Sequence, residues 1–438
     1  MNESLFVQFI KTIWPKLSLY VKEKTEPNKR TYLHKSMLRK VYSADQKWEG
    51  TSAKTTYVAA DIVAMDSPLP IKKRGAIATS NGKLPKIGMK KILFETDINN
   101  INIMRAHMAM STSAEARTAE KNRILARLTD DGVACSVGID EKNEANFLTG
   151  LSDGIILVQD EDNTGTGLRF NYGYLADNTM VTETKDQIER EDIENVFEKA
   201  DRDGNTIVTM MLAKSTYNGM RKMQWAKELV ADAEGRIYTD NTKLPMPASK
   251  SFDAAFEDEW GAKVQVVDRT VIIEKNGKQK SFKPWDANHV IFLCSDEVGS
   301  LVWGTLAEAT NHVAGVQYAT VDEYKLISKY SKNDPSLQEF TSGQALVLPV
   351  IEDVDQIYML DLSNSAELDE DAEAADTADA YVTVLGAKYK KPEFISLLQN
   401  YTEIKSTATD EQVVKAVNKL TKAEQSDLQT LAADYVAS

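Results

Sequence analysis

Apolar side chains recur at three- and four-residue intervals over residues 4–24 (Leu5, Phe6, Phe9, Ile10, Ile13, Leu17, Tyr20, Val21), a helical spacing that Pro15 interrupts. An extended polar stretch follows to about Asp66. Residues 113–129 predict an amphipathic helix carrying Arg117, Arg123 and Arg127, and Asp140–Leu151 a second helix that closes at Gly150 or Gly154. The run Gly154–Val158 then reads as a buried strand. From Asp186 the pattern predicts a helix over 188–200, a strand Thr206–Met211, a helix Thr216–Ala233 and a hairpin Lys263–Phe282 turning at Asn276-Gly277. His289–Cys294, with four consecutive apolar residues, predicts a central strand, and Gly343–Asp361 a further strand pair. The fold class is mixed α+β, without an internal repeat.

One stretch breaks the pattern. Ser67–Phe94, "SPLPIKKRGAIATSNGKLPKIGMKKILF", holds Lys72, Lys73, Arg74, Lys83, Lys86, Lys90 and Lys91 and no acidic residue. It predicts a hairpin with strands Ile71–Thr79 and Leu84–Phe94 and Ser80-Asn81-Gly82-Lys83 as the turn, because Asn-Gly readily adopts positive φ. Pro68, Pro70, Pro85 and the lysines are devices that protect exposed strands, so the expectation is a hairpin that projects from the body instead of joining a sheet.

Charge makes this arm more unusual. The chain of 438 residues has a net charge of −14. Residues 1–94 carry 18 basic and 7 acidic side chains, a balance of +11; the rest carry 34 and 59, a balance of −25. A basic quarter on an acidic body suits a polyanion, or the acidic part of another copy of the chain; a solvated face without function is the bland alternative. Asp361–Ala380 holds eight acids and no base and reads as a solvated linker. Beyond it, residues 381–438 predict a small helical module with capping boxes at Thr409–Gln412 and Thr421–Glu424, packing Val413, Val414, Val417 and Leu420 against Leu428, Leu431 and Tyr435.

Other classes lose ground. No window nears the roughly 18 apolar residues of a membrane span, and the start lacks the apolar core of a secretory signal. Cys135 and Cys294 are too few for a disulfide framework or zinc site and read as core thiols. There is no nucleophile elbow, phosphate loop or dinucleotide fingerprint. His34, His107, His289 and His312 lack metal-pair spacing, and His289 reads as a polar residue at a strand edge. The segments from Asp160 and from Asp201 imitate calcium loops but lack the closing Glu, and read as surface turns. The expectation is no catalytic residue, no cofactor and no metal.

Four stretches, in order, resemble the major capsid proteins of tailed bacteriophages, in the family of the lambda capsid protein E. They are the basic arm, Glu141–Val158 ("EKNEANFLTGLSDGIILV"), Trp285–Ala309 ("WDANHVIFLCSDEVGSLVWGTLAEA") and Tyr330–Asp361 with its Asp334-Pro335 and Leu348-Pro349. The resemblance spans about residues 60–362. The first sixty residues and the 381–438 module have no counterpart in it, and the stretch 186–285 follows it only in element order. It implies the Hong Kong 97-type capsid fold: an N-terminal arm (1–60), an extended-loop hairpin (61–100), a peripheral domain with a spine helix (101–185), an axial domain (186–310) and return strands (311–362); the acidic linker (363–380) and the module (381–438) follow as an appended part outside the resemblance. It further implies a structural, non-enzymatic subunit that assembles with itself into pentamers and hexamers of a virion shell, in the host bacterial cytoplasm. Scaffold, portal and decoration proteins would be its partners, and packaged double-stranded DNA would be contacted only weakly; no membrane is involved. The seven basic residues of the arm would form the subunit interface. Two readings stand beside this one: the shell protein of a cellular compartment with the same fold, and an α/β enzyme or ligand binder with no recognisable motif. A nucleic-acid-binding module using residues 1–94 is a further reading, in which single-strand binding by a stacking platform is disfavoured, since Phe94 is the only aromatic in the arm.

Overall fold

The computed structural model describes residues 2–25, 31–53, 77–158, 168–235, 244–275 and 278–363, the strand residues 381–384 and 387–390, and single positions beyond them. The chain divides into two units, Met1–Asn364 and Ser365–Ser438.

The first unit opens with α1 (Val7–Ile13) and α2 (Leu17–Thr25), separated by one 3-10 turn at Trp14–Lys16 that accommodates Pro15. The region expected to be extended and polar instead holds α3 (Leu33–Met37) and β1 (Leu38–Tyr42) before the strand β2 (Lys47–Ala53). Then come β3 (Ile77–Lys83), β4 (Lys86–Leu93), α4 (Glu95–Met110) and α5 (Ala114–Asp153). The two helices expected over 113–151 are thus one helix of 40 residues, about 60 Å long at 1.5 Å per residue. Ser113 caps it by accepting from the Ala116 amide, and Gly154, at φ 69°, ends it. The strands β5 (Ile155–Val158) and β6 (Leu168–Asn171) form a small hairpin after it.

The remainder of the unit runs β7 (Thr179–Val181), α6 (Arg190–Asp203), β8 (Thr209–Ala213), α7 (Lys214–Met220), α8 (Gln224–Ala233), α9 (Ser249–Trp260), β9 (Lys263–Val267), β10 (Val271–Lys275), β11 (Lys278–Phe282), β12 (His289–Leu293) and β13 (Gly299–Gly304). It closes with α10 (Ala307–Thr310), β14 (Gln317–Val321), β15 (Lys325–Lys332), β16 (Gln338–Ile351) and β17 (Ile357–Asp361). The expected hairpin before His289 is narrower than predicted: β10 pairs with β11, whereas β9 belongs to another sheet. The residues expected to turn it, Asn276 and Gly277, lie outside the described residues.

Two sheets organise the unit. A five-stranded sheet runs in the order β7-β17-β12-β8-β9, with β12 at its centre as the apolar run predicts. Val290 and Phe292 face a layer of α6, α7, α8 and α9, while Ile291 and Leu293 face the opposite core, so the strand is buried on both sides. A six-stranded sheet is built around β16, which pairs with β15, β4 and β13; β1 adds to β13 in parallel, and β14 to β15. The expected strand pair in 343–361 is therefore two strands in two different sheets. The second half of α5 (Ile139, Phe147, Leu148, Leu151) fills the core between the sheets, and its first half receives Ile10, Ile13, Trp14 and Leu17 of the N-terminal helices.

The second unit opens on a hairpin of β18 (Tyr381–Val384) and β19 (Ala387–Lys390), an element the helical expectation for this module did not include. Tyr389, Phe394, Leu398, Val413, Val417 and Leu428 are buried in it.

Candidate assembly surface

The basic arm divides differently from its sequence reading. Gly82 lies within β3, opposite Trp48 of β2, and the expected turn at 80–83 is strand. The physical reason is the indole: a Cβ on Gly82 would stand 2.7 Å from Trp48 Nε1, so the glycine serves close approach of a ring and not a turn. The hairpin is instead the two-stranded ribbon β2–β3, running from Lys47↔Lys83 to Ala53↔Ile77. Lys83 sits at the root of this ribbon and not at its tip. Lys72, Lys73 and Arg74 belong to the segment 54–76 that joins the two strands in sequence, outside the described residues.

The second expected arm of the hairpin is β4, and it does sit in a sheet. Leu84, buried and bonded from its amide to the Gln46 carbonyl, and the following Pro85 separate it from β3. Its register on β16 runs from Lys86↔Leu346 to Leu93↔Glu339. Alternation explains the placement: Ile87, Met89 and Leu93 point inward while Lys86, Lys90 and Ile92 stand outward. Outside, Lys90 lies 5.5 Å from the Phe340 ring and 6.0 Å from that of Tyr330, and these rings stack at 5.3 Å across β15 and β16. Lys86 and Lys90 also border a shallow depression with Glu308, Tyr330 and Gln344, where Gln344 Nε2 donates to Glu308. Lys91 is on the inner side, where its charge acts on Asp131 and Cys135 of α5. The structure thus joins Lys86 and Lys90 on one face and sets Lys83 and Lys91 elsewhere.

A set of buried charges that sequence reasoning missed ties α5 to its neighbours. Asp140, Glu141 and Glu144 share one side of α5. Glu144 accepts from the Leu33 and His34 amides and lies 2.6 Å from His34 Nδ1. Asp140 pairs with Lys35 at 2.9 Å and with the fully buried Lys325 at 2.7 Å. Glu141 takes Arg269 at 2.7 Å and the Tyr32 hydroxyl at 3.0 Å. Burial alone would raise the Asp322 carboxyl, but Lys325 and then Lys35 outweigh it and hold the group at about 2. A second group anchors the N-terminus: Glu339 accepts from Ser4 Oγ and the Leu5 amide, with Lys329 Nζ 3.9 Å away. Burial raises the Glu339 carboxyl and lowers the Lys329 ammonium, drawing both toward neutrality. A spacing of i, i+1, i+4 acids on a helix was the available signal, but nothing in the sequence names the distant partners.

Two further features lie elsewhere on the unit. The end of α4 and the start of α5 are exposed nearly all round, with Ile103 54% and Met110 80% exposed. The calcium-like segment from Asp201 is a helix end: Asp203 closes α6 and pairs with Lys199 at 2.6 Å, Gly204 takes φ 79°, and Asn205 Nδ2 donates to the Tyr358 hydroxyl. The segment from Asp160 lies outside the described residues.

No family profile matches the chain, and no curated protein does. Among solved structures, the chain is similar to a prophage capsid protein of E. coli CFT073, with 12% identity and a TM-score of 0.46 over 80% of this chain and 98% of that one. It is similar to the Cyanophage A-1(L) capsid, with 12% identity and a TM-score of 0.40 over 74% and 90%. It is also similar to the virus-like particle of Pyrococcus furiosus, with 9% identity and a TM-score of 0.35 over 80% and 99%.

Proposed function

We propose that this chain is the structural subunit of an icosahedral phage shell, assembling with itself into pentamers and hexamers around double-stranded DNA. The observation that carries the reading is the β2–β3 ribbon, a two-stranded sheet of its own whose connecting segment bears Lys72, Lys73 and Arg74, on a chain that is otherwise strongly acidic. A basic element set on the acidic body of the next copy is a head-to-tail contact, and such heterologous contacts close into rings. Each contact is weak alone and gains from repetition over a lattice. The long helix α5, stapled to the N-terminal segment and to both sheets, supplies the stiff frame such a subunit needs. Net acidity suits a wall that must not bind its DNA tightly.

In this reading the finer assignments are Lys72, Lys73, Arg74, Lys83, Lys86, Lys90 and Lys91 as interface residues, the virion as location, and scaffold and portal proteins as partners. The 381–438 module acts as a built-in decoration. Electron microscopy of the overexpressed protein tests the core of it. Closed shells or pentameric and hexameric capsomers are expected; a discrete monomer, dimer or tetramer overturns it, and shells filled with protein instead of nucleic acid reassign it to a cellular compartment.

A further inference from the structure

His289 opens β12, Asp286 precedes it in the turn, Asp153 closes α5 and Asp361 closes β17. Four positions from three separate stretches of the chain thus meet at one joint between the long helix and the central sheet. The donor atoms of Asp153, Asp286 and His289 all lie within 4.8 Å of one another. His289 Nδ1 is 3.2 Å from Asp153 Oδ1, and its Nε2 is 4.0 Å from Asp361 Oδ1. Among the described residues no lysine or arginine forms an ion pair with any of these three carboxylates. The last turn of α5 also has no basic residue, so its terminal carbonyls add further uncompensated negative charge.

The joint is braced. Thr149 Oγ1 donates to the Pro284 carbonyl at 2.9 Å, the Asp286 amide to Ser152 Oγ at 3.3 Å, and the buried Trp285 indole to the His289 carbonyl at 3.2 Å. Ser152 Oγ also donates to Asp153 Oδ1 at 2.7 Å. These bonds hold the turn carrying Asp286 and His289 against the end of α5, as a preformed ligand set requires.

We propose that this group binds one divalent transition-metal cation, with His289 Nδ1 and carboxylate oxygens of Asp153 and Asp286 as ligands. Ligands about 2.0–2.2 Å from a shared ion stand roughly 3–4 Å apart, so a side-chain shift of under about 1 Å closes the site. With Nδ1 on the ion, Nε2 carries the proton 4.0 Å from Asp361 Oδ1, and a small shift of that carboxylate would complete a carboxylate–histidine–metal order. An imidazole among carboxylates favours Zn2+ or Mn2+ over Mg2+ and Ca2+, which prefer oxygen alone. The ion would tie the end of the long helix to β12 and the turn that precedes it, within one subunit and without assembly.

The test uses the full chain, stripped with chelator and titrated with ZnCl2, MnCl2 or MgCl2 by calorimetry and thermal unfolding. One saturable Zn2+ site, weaker Mn2+ binding, weaker Mg2+ binding still and a rise in Tm of several degrees at a hundredfold excess over Kd are expected. Asp286→Asn and Asp153→Asn should each lower Zn2+ affinity at least tenfold. In the wild type, Zn2+ should protect His289 from diethylpyrocarbonate, read by mass spectrometry. Absence of saturable Zn2+ and Mn2+ binding at millimolar metal overturns the proposal, as does unchanged affinity in both variants or unprotected His289.

Discussion

At the scale of single residues, stability is decided by side chains whose surroundings leave no substitute. Phe292 is fully buried and meets Phe197 edge to face at 6.0 Å. Phe292→Ala should cost about 3–5 kcal/mol in denaturant unfolding, through lost burial and the cavity left behind; an unchanged midpoint would contradict the two-sided burial of β12. Asp322 carries a pH signature. Its carboxyl is depressed in the folded chain, from 3.8 to about 2, so it stabilises the fold above its unfolded value and that contribution is lost as pH falls through the folded one. With a side chain 35% exposed, its worth is discounted for solvent screening to about 1 kcal/mol. The gap in unfolding midpoint between wild type and Asp322→Asn should be present at pH 6 and narrow between about pH 4 and 2; a gap constant with pH would show that Lys325 and Lys35 do not hold the group down.

At the scale of elements, the errors of sequence reading have a common cause. Residues 129–138, "TDDGVACSVG", have poor helix propensity, and the sequence reads as two helices with a break between them. In the structure the stretch stays helical because packing overrides propensity: Gly132 lies against Leu17 and Trp14, and Gly138 against Met89. The Asn81-Gly82 pair misleads in the same way, since its glycine answers to Trp48, more than thirty residues earlier. By contrast β12, α6 and the helical break at Pro15 were legible, because their patterns are local and agree with their burial. The buried charges against α5 were not legible, because their partners come from residues 4, 32–35, 269 and 325–339. Gly343 shows how tight the contact of β16 with α5 is, for a Cβ there would stand 2.8 Å from Cys135 Cβ. Gly343→Val should therefore destabilise the unit by about 1–3 kcal/mol or more through overpacking, measured by thermal or denaturant unfolding. A neutral outcome would mean that helix and strand can separate at little cost.

At the scale of the whole molecule, the predictions concern assembly. Reversing Lys72, Lys73 and Arg74 to Glu should leave Tm unchanged while preventing capsomers, because like charges brought together cost several kcal/mol; sedimentation reads the outcome, and normal shells would exclude these residues from the contact. Ending the chain at Asn364, where the two units divide, should leave a folded, assembling protein whose shells break at lower temperature. An insoluble product would show that the first unit needs the second.

The strand β16 also sets the order of events during synthesis. It takes β4 along one edge, and Leu93 meets Glu339, 246 positions further on. At roughly 5–20 residues per second, the ribosome delivers that partner about 10–50 s after β4 has emerged. Until then the base of the basic ribbon has no sheet to join, and its contact with β16 must await loop closure across most of the unit. The topology works as a clock: the ribbon cannot be correctly rooted on β16 until nearly all of the first unit has been translated, which in the proposed shell subunit would keep half-made copies out of the lattice.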